Sequence, residues 1–197
     1  MHRSIGQNLG TKALSVSACL SILALSGTVG AQSVIQQQNA HPRYDFEAEP
    51  HLVLGWLDPP GPADGGGYGL GFRGTFELVD PGFISGLNNT VGLGVGLDWM
   101  NYPFEVCHGT ENRDRDCDDD RARYVWIPVV MQWNFFLHDQ WSVFGEPGAA
   151  IRFQSPGDDT LDPFVLYLGG RWHFSDDASL TMRIGYPSTS VGVSFFL

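Results

Sequence analysis

Between Pro103 and Arg121 stand Asp114, Asp116, Asp118, Asp119 and Asp120, together with Glu105, Glu111, Arg113, Arg115 and Arg121. Carboxylates at alternate positions suit a hard cation such as calcium. The pattern of a calcium loop then fails: counted from Asp114, the sixth position holds Asp119 where glycine is needed, and the twelfth is Val125. What remains is a solvated acidic loop, with loose divalent-ion binding as its functional alternative. Cys107 and Cys117 sit within this stretch, and in an exported chain such a pair reads as a disulfide. A second candidate is His173-Phe174-Ser175, with Glu146 as a conceivable acidic third member. A histidine activates a serine only within hydrogen-bond reach, and a single His-x-Ser arises readily by chance. Gly-x-Ser-x-Gly elbows, zinc spacings and phosphate loops are absent from the sequence. The sequence therefore assigns no catalytic residue, no cofactor and no metal ligand, and a non-enzymatic protein is expected.

The other charged groups fall at one parity of short apolar runs, and those runs must position them. Leu52, Leu54 and Trp56 alternate with Glu47, Glu49, His51 and Gly55, and Tyr68, Leu70, Phe72, Phe76 and Leu78 alternate with Arg73, Thr75 and Glu77. Val91, Leu93, Val95, Leu97 and Trp99 oppose Gly92, Gly94, Gly96 and Asp98. Five further runs follow, led by Val125–Leu137, Val143–Phe153, Phe164–Phe174, Leu180–Ile184 and Val191–Leu197. They set Gln132, Asn134, Glu146, Arg152, Arg171, His173, Arg183 and Ser194 against apolar rows. Period-two alternation is the signature of strands with one apolar face, and these runs predict eight. Pro- and Gly-containing connectors separate them, with tight turns at 138–140 and 175–178 and the longest loop at 103–121. The chain of 197 residues, 43% hydrophobic and 13% aromatic with 25 glycines, is that of one ordered domain and disfavours helix bundles.

His2, Arg3 and Lys12 precede an apolar run from Ala13 to Leu25 and small residues ending at Ala31, the pattern of a secretory signal peptide cleaved after residue 31. Val16-Ser17-Ala18-Cys19 resembles a lipobox, but the apolar run continues past Cys19, which favours ordinary cleavage. Loss of Arg3 and Lys12 changes the formal charge from −11 to −13 and excludes nucleic-acid binding, which needs a basic face. Gln32 to Tyr44 is polar and predicts a flexible arm, leaving 45–197 for the strands. Beyond the signal no apolar run approaches the roughly 18 residues of a spanning helix.

An eight-stranded barrel could turn either face inward. A soluble lipid-binding barrel would bury the aromatic rows, whereas a membrane barrel turns them to lipid and fills its lumen with polar groups. Strand-centre glycines, the avoidance of charge on one parity, and aromatics near strand ends (Trp56, Trp99, Tyr102, Trp133, Trp141, Trp172 and Tyr186) favour the membrane version. Glu47, Glu49, Arg73, Glu77, Asp98, Glu146, Arg152, Arg171 and Arg183 would then form a paired network in the lumen, filling it in preference to lining a narrow, porin-like pore. The C-terminal residues Ser190, Gly192, Phe195 and Leu197 resemble the sorting signal read by the barrel-assembly machinery of outer membranes, with Leu197 where phenylalanine is usual. The chain as a whole resembles the small outer-membrane barrels of the OmpA transmembrane-domain and OmpX kind. That resemblance implies an all-β, eight-stranded antiparallel up-and-down transmembrane β-barrel in the outer membrane of a Gram-negative envelope, with both termini periplasmic. The expected protein is a monomer that meets outer-membrane lipid and lipopolysaccharide and offers loop 103–121 to an external partner. His173-Phe174-Ser175 is similar to the His-x-Ser pair of lipid A deacylase barrels, but this topology would put it at the periplasmic rim, away from the outer leaflet.

Overall fold

The structure, a computed structural model, describes residues 33–55, 66–108 and 116–197, with backbone alone at 104–108 and 116–120. The expected signal peptide at 1–31, Trp56, and the charged residues Glu111, Arg113, Asp114 and Arg115 lie outside the described residues. So do the side chains of Cys107 and Cys117.

The alternating runs form eight antiparallel strands: β1 (Phe46–Gly55), β2 (Gly67–Val79), β3 (Asn89–His108), β4 (Asp116–His138), β5 (Trp141–Ser155), β6 (Thr160–Ser175), β7 (Ala178–Tyr186) and β8 (Thr189–Phe196). Each pairs with its sequence neighbours, and β8 returns to β1, closing an up-and-down barrel without an edge in the ring. Closure matters because an open edge in lipid would leave backbone donors and acceptors unpaired. At the end where Asp45 N–H donates to the Leu197 carbonyl (2.9 Å), the near end, the connections are 80–88, 139–140 and 176–177. The far end carries 56–66, 109–115, 156–159 and 187–188.

The polarity of the wall is inverted relative to a soluble protein. On β6, Leu168 is 58% exposed beside Tyr167 at 2%, and the same contrast separates Leu52 and Leu54 from Val53, and Met182 and Ile184 from Arg183. Large apolar side chains thus cover the outside while arginines and carboxylates are buried inside, which is the arrangement of a transmembrane β-barrel. The apolar band stops abruptly. Leu70, Trp99, Val125 and Phe153 form one outward rung across β2 to β5, and the next rung toward the far end is Tyr68, Asn101, Arg123 and Ser155.

Three expectations need correction. The stretch 103–121 is not one long loop: β3 and β4 stay paired from Pro103↔Arg121 to His108↔Asp116, which leaves only 109–115 as the connection. Ladder bonds continue past the apolar band, where Phe104 and Val106 keep the alternation of β3 but the acidic stretch 116–120 of β4 shows none. Tyr102 does not join an outer aromatic girdle but is buried inside the barrel, because it shares the inward parity of Asp98 and Met100. Trp99, Trp141, Trp172 and Tyr186 do face outward. Finally, residues 33–44 are not a free arm. Val34 N–H donates to the Leu137 carbonyl (3.1 Å), Asn88 N–H to that of Ile35 (2.7 Å), and Val34, His41 and Tyr44 are buried. The His41 ring stacks on Phe136 (4.4 Å, 9°) and meets Asn88 Oδ1 at 2.5 Å, while Tyr44 lies 4.7 Å from Phe196. The segment caps the near end because these apolar and aromatic groups bury surface the strands leave open.

Candidate functional site: the filled interior

The lower interior, toward the near end, is a circuit of charges supplied by five strands. Arg183 of β7 donates Nε to Glu146 Oε2 of β5 at 2.9 Å, and its Nη1 pairs with Glu49 of β1. Glu49 Oε1 lies 3.4 Å from His51 Nδ1, His51 Nε2 is 2.8 Å from Asp98 of β3, and Asp98 faces Arg73 of β2 at 3.6 Å. Arg73 Nη1 returns to Glu146 at 2.9 Å. A branch runs from Glu146 to Gln132 (2.8 Å), Asn134 (3.2 Å), Arg171 (2.6 Å) and Glu47 (2.6 Å). With both ring nitrogens set against carboxylates, His51 has the geometry of an imidazolium, which donates at each. Glu47, Glu49, Asp98 and Glu146 are then matched charge for charge by Arg73, Arg171, Arg183 and His51. Such pairing is what makes ionised groups tolerable away from water.

Glycines make room for this layer. A side chain at Gly96 would come within 2.7 Å of Arg73 Nε, and one at Gly71 within 2.2 Å of His51 Nε2 and 2.3 Å of Asp98 Oδ1. Phe144, the inward aromatic of β5, supports the cations from below, its centroid 4.3 Å from the Arg171 guanidinium and 5.0 Å from that of Arg183.

The upper interior is apolar, which sequence reading missed. Val53, Met100, Tyr102, Ala122, Tyr124, Trp126, Val130, Ala150, Val165 and Tyr167 form one buried cluster. Tyr124 lies 5.3 Å from both Tyr102 and Trp126, edge-on to the first and stacked on the second. Trp126 Nε1–H donates to Asp162 at 3.0 Å, and Asp162 also faces Arg152 at 3.6 Å. Asp162 points inward because a register irregularity between Gly148 and Ala150 shifts the parity of β6 there. The signal for the cluster was the apolar residues Val53, Val130 and Val165 on rows otherwise polar.

Of the network residues expected from sequence, Glu47, Glu49, Arg73, Asp98, Glu146, Arg171 and Arg183 are brought together. Arg152 stands apart with Asp162, and Glu77 sits toward the near end beside Thr90, Asp80 and Asp45. His51, Gln132 and Asn134 join the network without having been assigned to it. His173 is not paired with Ser175, which is exposed beyond a ladder irregularity; it meets Ser142 Oγ at 2.9 Å on the neighbouring strand. Ser142 is fully buried, His173 Nδ1 has no partner to fix a tautomer, and Phe196 stacks on the ring at 5.4 Å. Among the described residues this serine–histidine contact has neither a positioned third group nor an open approach. Ser190, Gly192, Phe195 and Leu197 lie on or just after β8 at the closing seam; Ser190 and Gly192 point inward, Phe195 and Leu197 outward. Cys107 and Cys117 are directly opposed in the β3–β4 ladder. Among the described residues, no group of three or more His, Cys, Asp or Glu side chains could hold a metal ion.

No family model matches the chain, and no curated protein matches it. Among solved structures, a de novo designed transmembrane β-barrel is similar at 10% identity and a TM-score of 0.48, over 80% of this chain and 99% of that one. The Yersinia pestis outer membrane protein Ail, in a phospholipid bilayer nanodisc, is similar at 10% identity and a TM-score of 0.38, over 77% of this chain and 99% of that one.

Proposed function

We propose that this chain is a non-enzymatic outer-membrane β-barrel that is closed to solutes and serves the envelope through structure and through its far-end surface. The observation that carries this reading is the filled interior: the Arg183–Glu146–Arg73 layer and the Tyr102–Tyr124–Trp126 cluster lie one above the other. An eight-stranded barrel is narrow enough for side chains to fill it, and here two layers of opposite character do so. The near end is periplasmic in this reading, since the turns 139–140 and 176–177 lie there while the longest connection, 56–66, lies at the other end. Ser190, Gly192, Phe195 and Leu197 act as the assembly signal, the protein is a monomer, and its lipid-facing band meets lipopolysaccharide and other outer-membrane lipid.

The β3–β4 extension, residues 103–108 and 116–121, is the surface offered to an external partner. Its register supports a disulfide, because directly opposed Cα atoms in an antiparallel pair lie about 4.5–5.5 Å apart, within the roughly 4.4–6.8 Å that a disulfide spans. Purified protein reconstituted into planar bilayers tests the closed reading. No steady conductance is expected, and reproducible channels of uniform size would replace this reading with that of a narrow pore.

A further inference from the structure

The outward face of β4 changes character within one rung. Leu137, Phe135, Trp133, Met131, Val129, Ile127 and Val125 share its apolar row, and the next two outward residues are the exposed Arg123 and Arg121. The same level is polar on the neighbouring strands, since Tyr68 pairs with Asn101, Asn101 with Arg123 and Arg123 with Ser155. One rung further out, Pro103 pairs with Arg121. Arg121 Nη1 donates to the Tyr68 hydroxyl at 3.4 Å, tying β4 to β2 across the outside of β3. Gly66, Tyr68, Asn101, Tyr102, Pro103 and Arg121 border a recess of about 150 Å³ there. Among the described residues the other arginines are placed elsewhere: Arg73, Arg152, Arg171 and Arg183 point into the lumen, and Arg43 lies at the near end. The backbone pair Glu105↔Asp119 follows along the ladder, farther from the apolar band.

In a bilayer, the layer immediately outside the hydrocarbon holds headgroup phosphates. Two exposed guanidiniums there, with the hydroxyl of the exposed Tyr68 beside them and Asn101 buried between the strands, match a phosphate in charge and in donors. We propose that Arg121 and Arg123, with Tyr68, form a binding surface for the phosphate of an anionic lipid headgroup in the leaflet at the far end. The inference rests on the transmembrane-barrel reading and adds a lipid class and a location to it.

The full chain, reconstituted in nanodiscs of phosphatidylcholine, is probed with spin-labelled phosphatidic acid and spin-labelled phosphatidylcholine, and the immobilised fraction of each is read by electron paramagnetic resonance. The expected result is selectivity for phosphatidic acid that falls about five-fold for each arginine removed in R121Q and R123Q. R121K/R123K retains most of it, and R43Q retains all of it. Heat-shifted gel mobility confirms that each variant is folded. Equal immobilisation of both lipids by the native chain, or unchanged selectivity in the folded R121Q/R123Q variant, overturns the headgroup site alone. Loss of the selectivity on adding inorganic phosphate would reassign the site to free anions and overturn the lipid assignment. A chain that immobilises neither lipid overturns the barrel reading on which the proposal stands.

Discussion

Arg183 and Glu146 meet across the lumen, Nε to Oε2 at 2.9 Å, although their strands, β7 and β5, are separated by β6. Both side chains are buried, and Glu146 is shared with Arg73 and Gln132. Removing Glu146 leaves Arg183 only Glu49 and leaves Arg73 only Asp98 at 3.6 Å, whereas removing Arg183 leaves Glu146 its second arginine and leaves Glu49 the His51 ring. Glu146→Ala is expected to cost about 3–5 kcal/mol of unfolding free energy, with Arg183→Ala nearer the lower limit. Urea-induced unfolding from detergent or lipid vesicles, followed by gel mobility, measures the difference.

Gly96 tests how tightly the layer is fitted. A valine there meets Arg73 on one side and Pro128, 3.0 Å from the added carbon, on the other. Gly96→Val should destabilise the barrel by about 1–3 kcal/mol through overpacking. Gly86, with φ of +86° and nothing within 4 Å of an added carbon, is strained by its backbone alone and should respond less to side-chain size. Parallel Ala and Val series at the two positions, compared by unfolding midpoint, separate steric from backbone effects.

Strand parity was the most legible feature of the sequence, because a membrane barrel writes its lipid face as uninterrupted alternation. Leu93, Val95, Leu97 and Trp99 face outward as their spacing requires. Continuing that parity would also have placed Tyr102 inside; proximity to a strand end misdirected its assignment. The paired segments 103–108 and 116–121 were illegible for a different reason. Above the membrane a hairpin needs no apolar face, so the acidic stretch 116–120 carries no hydrophobic periodicity, and Phe104 and Val106 alone did not announce a pairing that persists. The Ser142–His173 contact and the inward turn of Asp162 depend on register and on a ladder irregularity, which residue spacing within one strand does not encode.

The cap over the near end makes a further prediction. Residues 33–44 should resist proteases in the folded protein, and His41→Ala should expose them by removing the stack on Phe136 and the contact with Asn88. Burial pushes the Tyr44 phenol up from its ordinary range. Since the unfolded tyrosine ionises near pH 10 and the buried one later, the Tyr44 contribution is complete below about pH 10 and is lost as pH rises through the folded value. Protease sensitivity of the cap should therefore increase on the alkaline side, and less so in Tyr44→Phe.

For the cysteine pair, closure of Cys107 to Cys117 would remove unfolded-state freedom worth about 3 kcal/mol in the chain-entropy model. The benefit belongs to the hairpin above the membrane, because the ring of strands closes independently through β1 and β8. Replacing both cysteines by serine should preserve heat-shifted gel mobility and accelerate proteolysis between 103 and 121. Free thiols in the native protein, counted by alkylation and mass, would refute the pairing.

The central claim is the inversion of polarity across the wall, and the tryptophans report it directly. Trp172 faces outward at 43% exposure, while Trp126 is 1% exposed inside the barrel. Two variants, each keeping one of these tryptophans with the others replaced by phenylalanine, are reconstituted in bilayers of brominated phosphatidylcholine and their fluorescence compared with that in unbrominated lipid. Strong quenching of Trp172 and little quenching of Trp126 is the predicted result. Quenching of Trp126 as strong as that of Trp172, or a native chain that stays monomeric and soluble without detergent and leaves both unquenched, would contradict it.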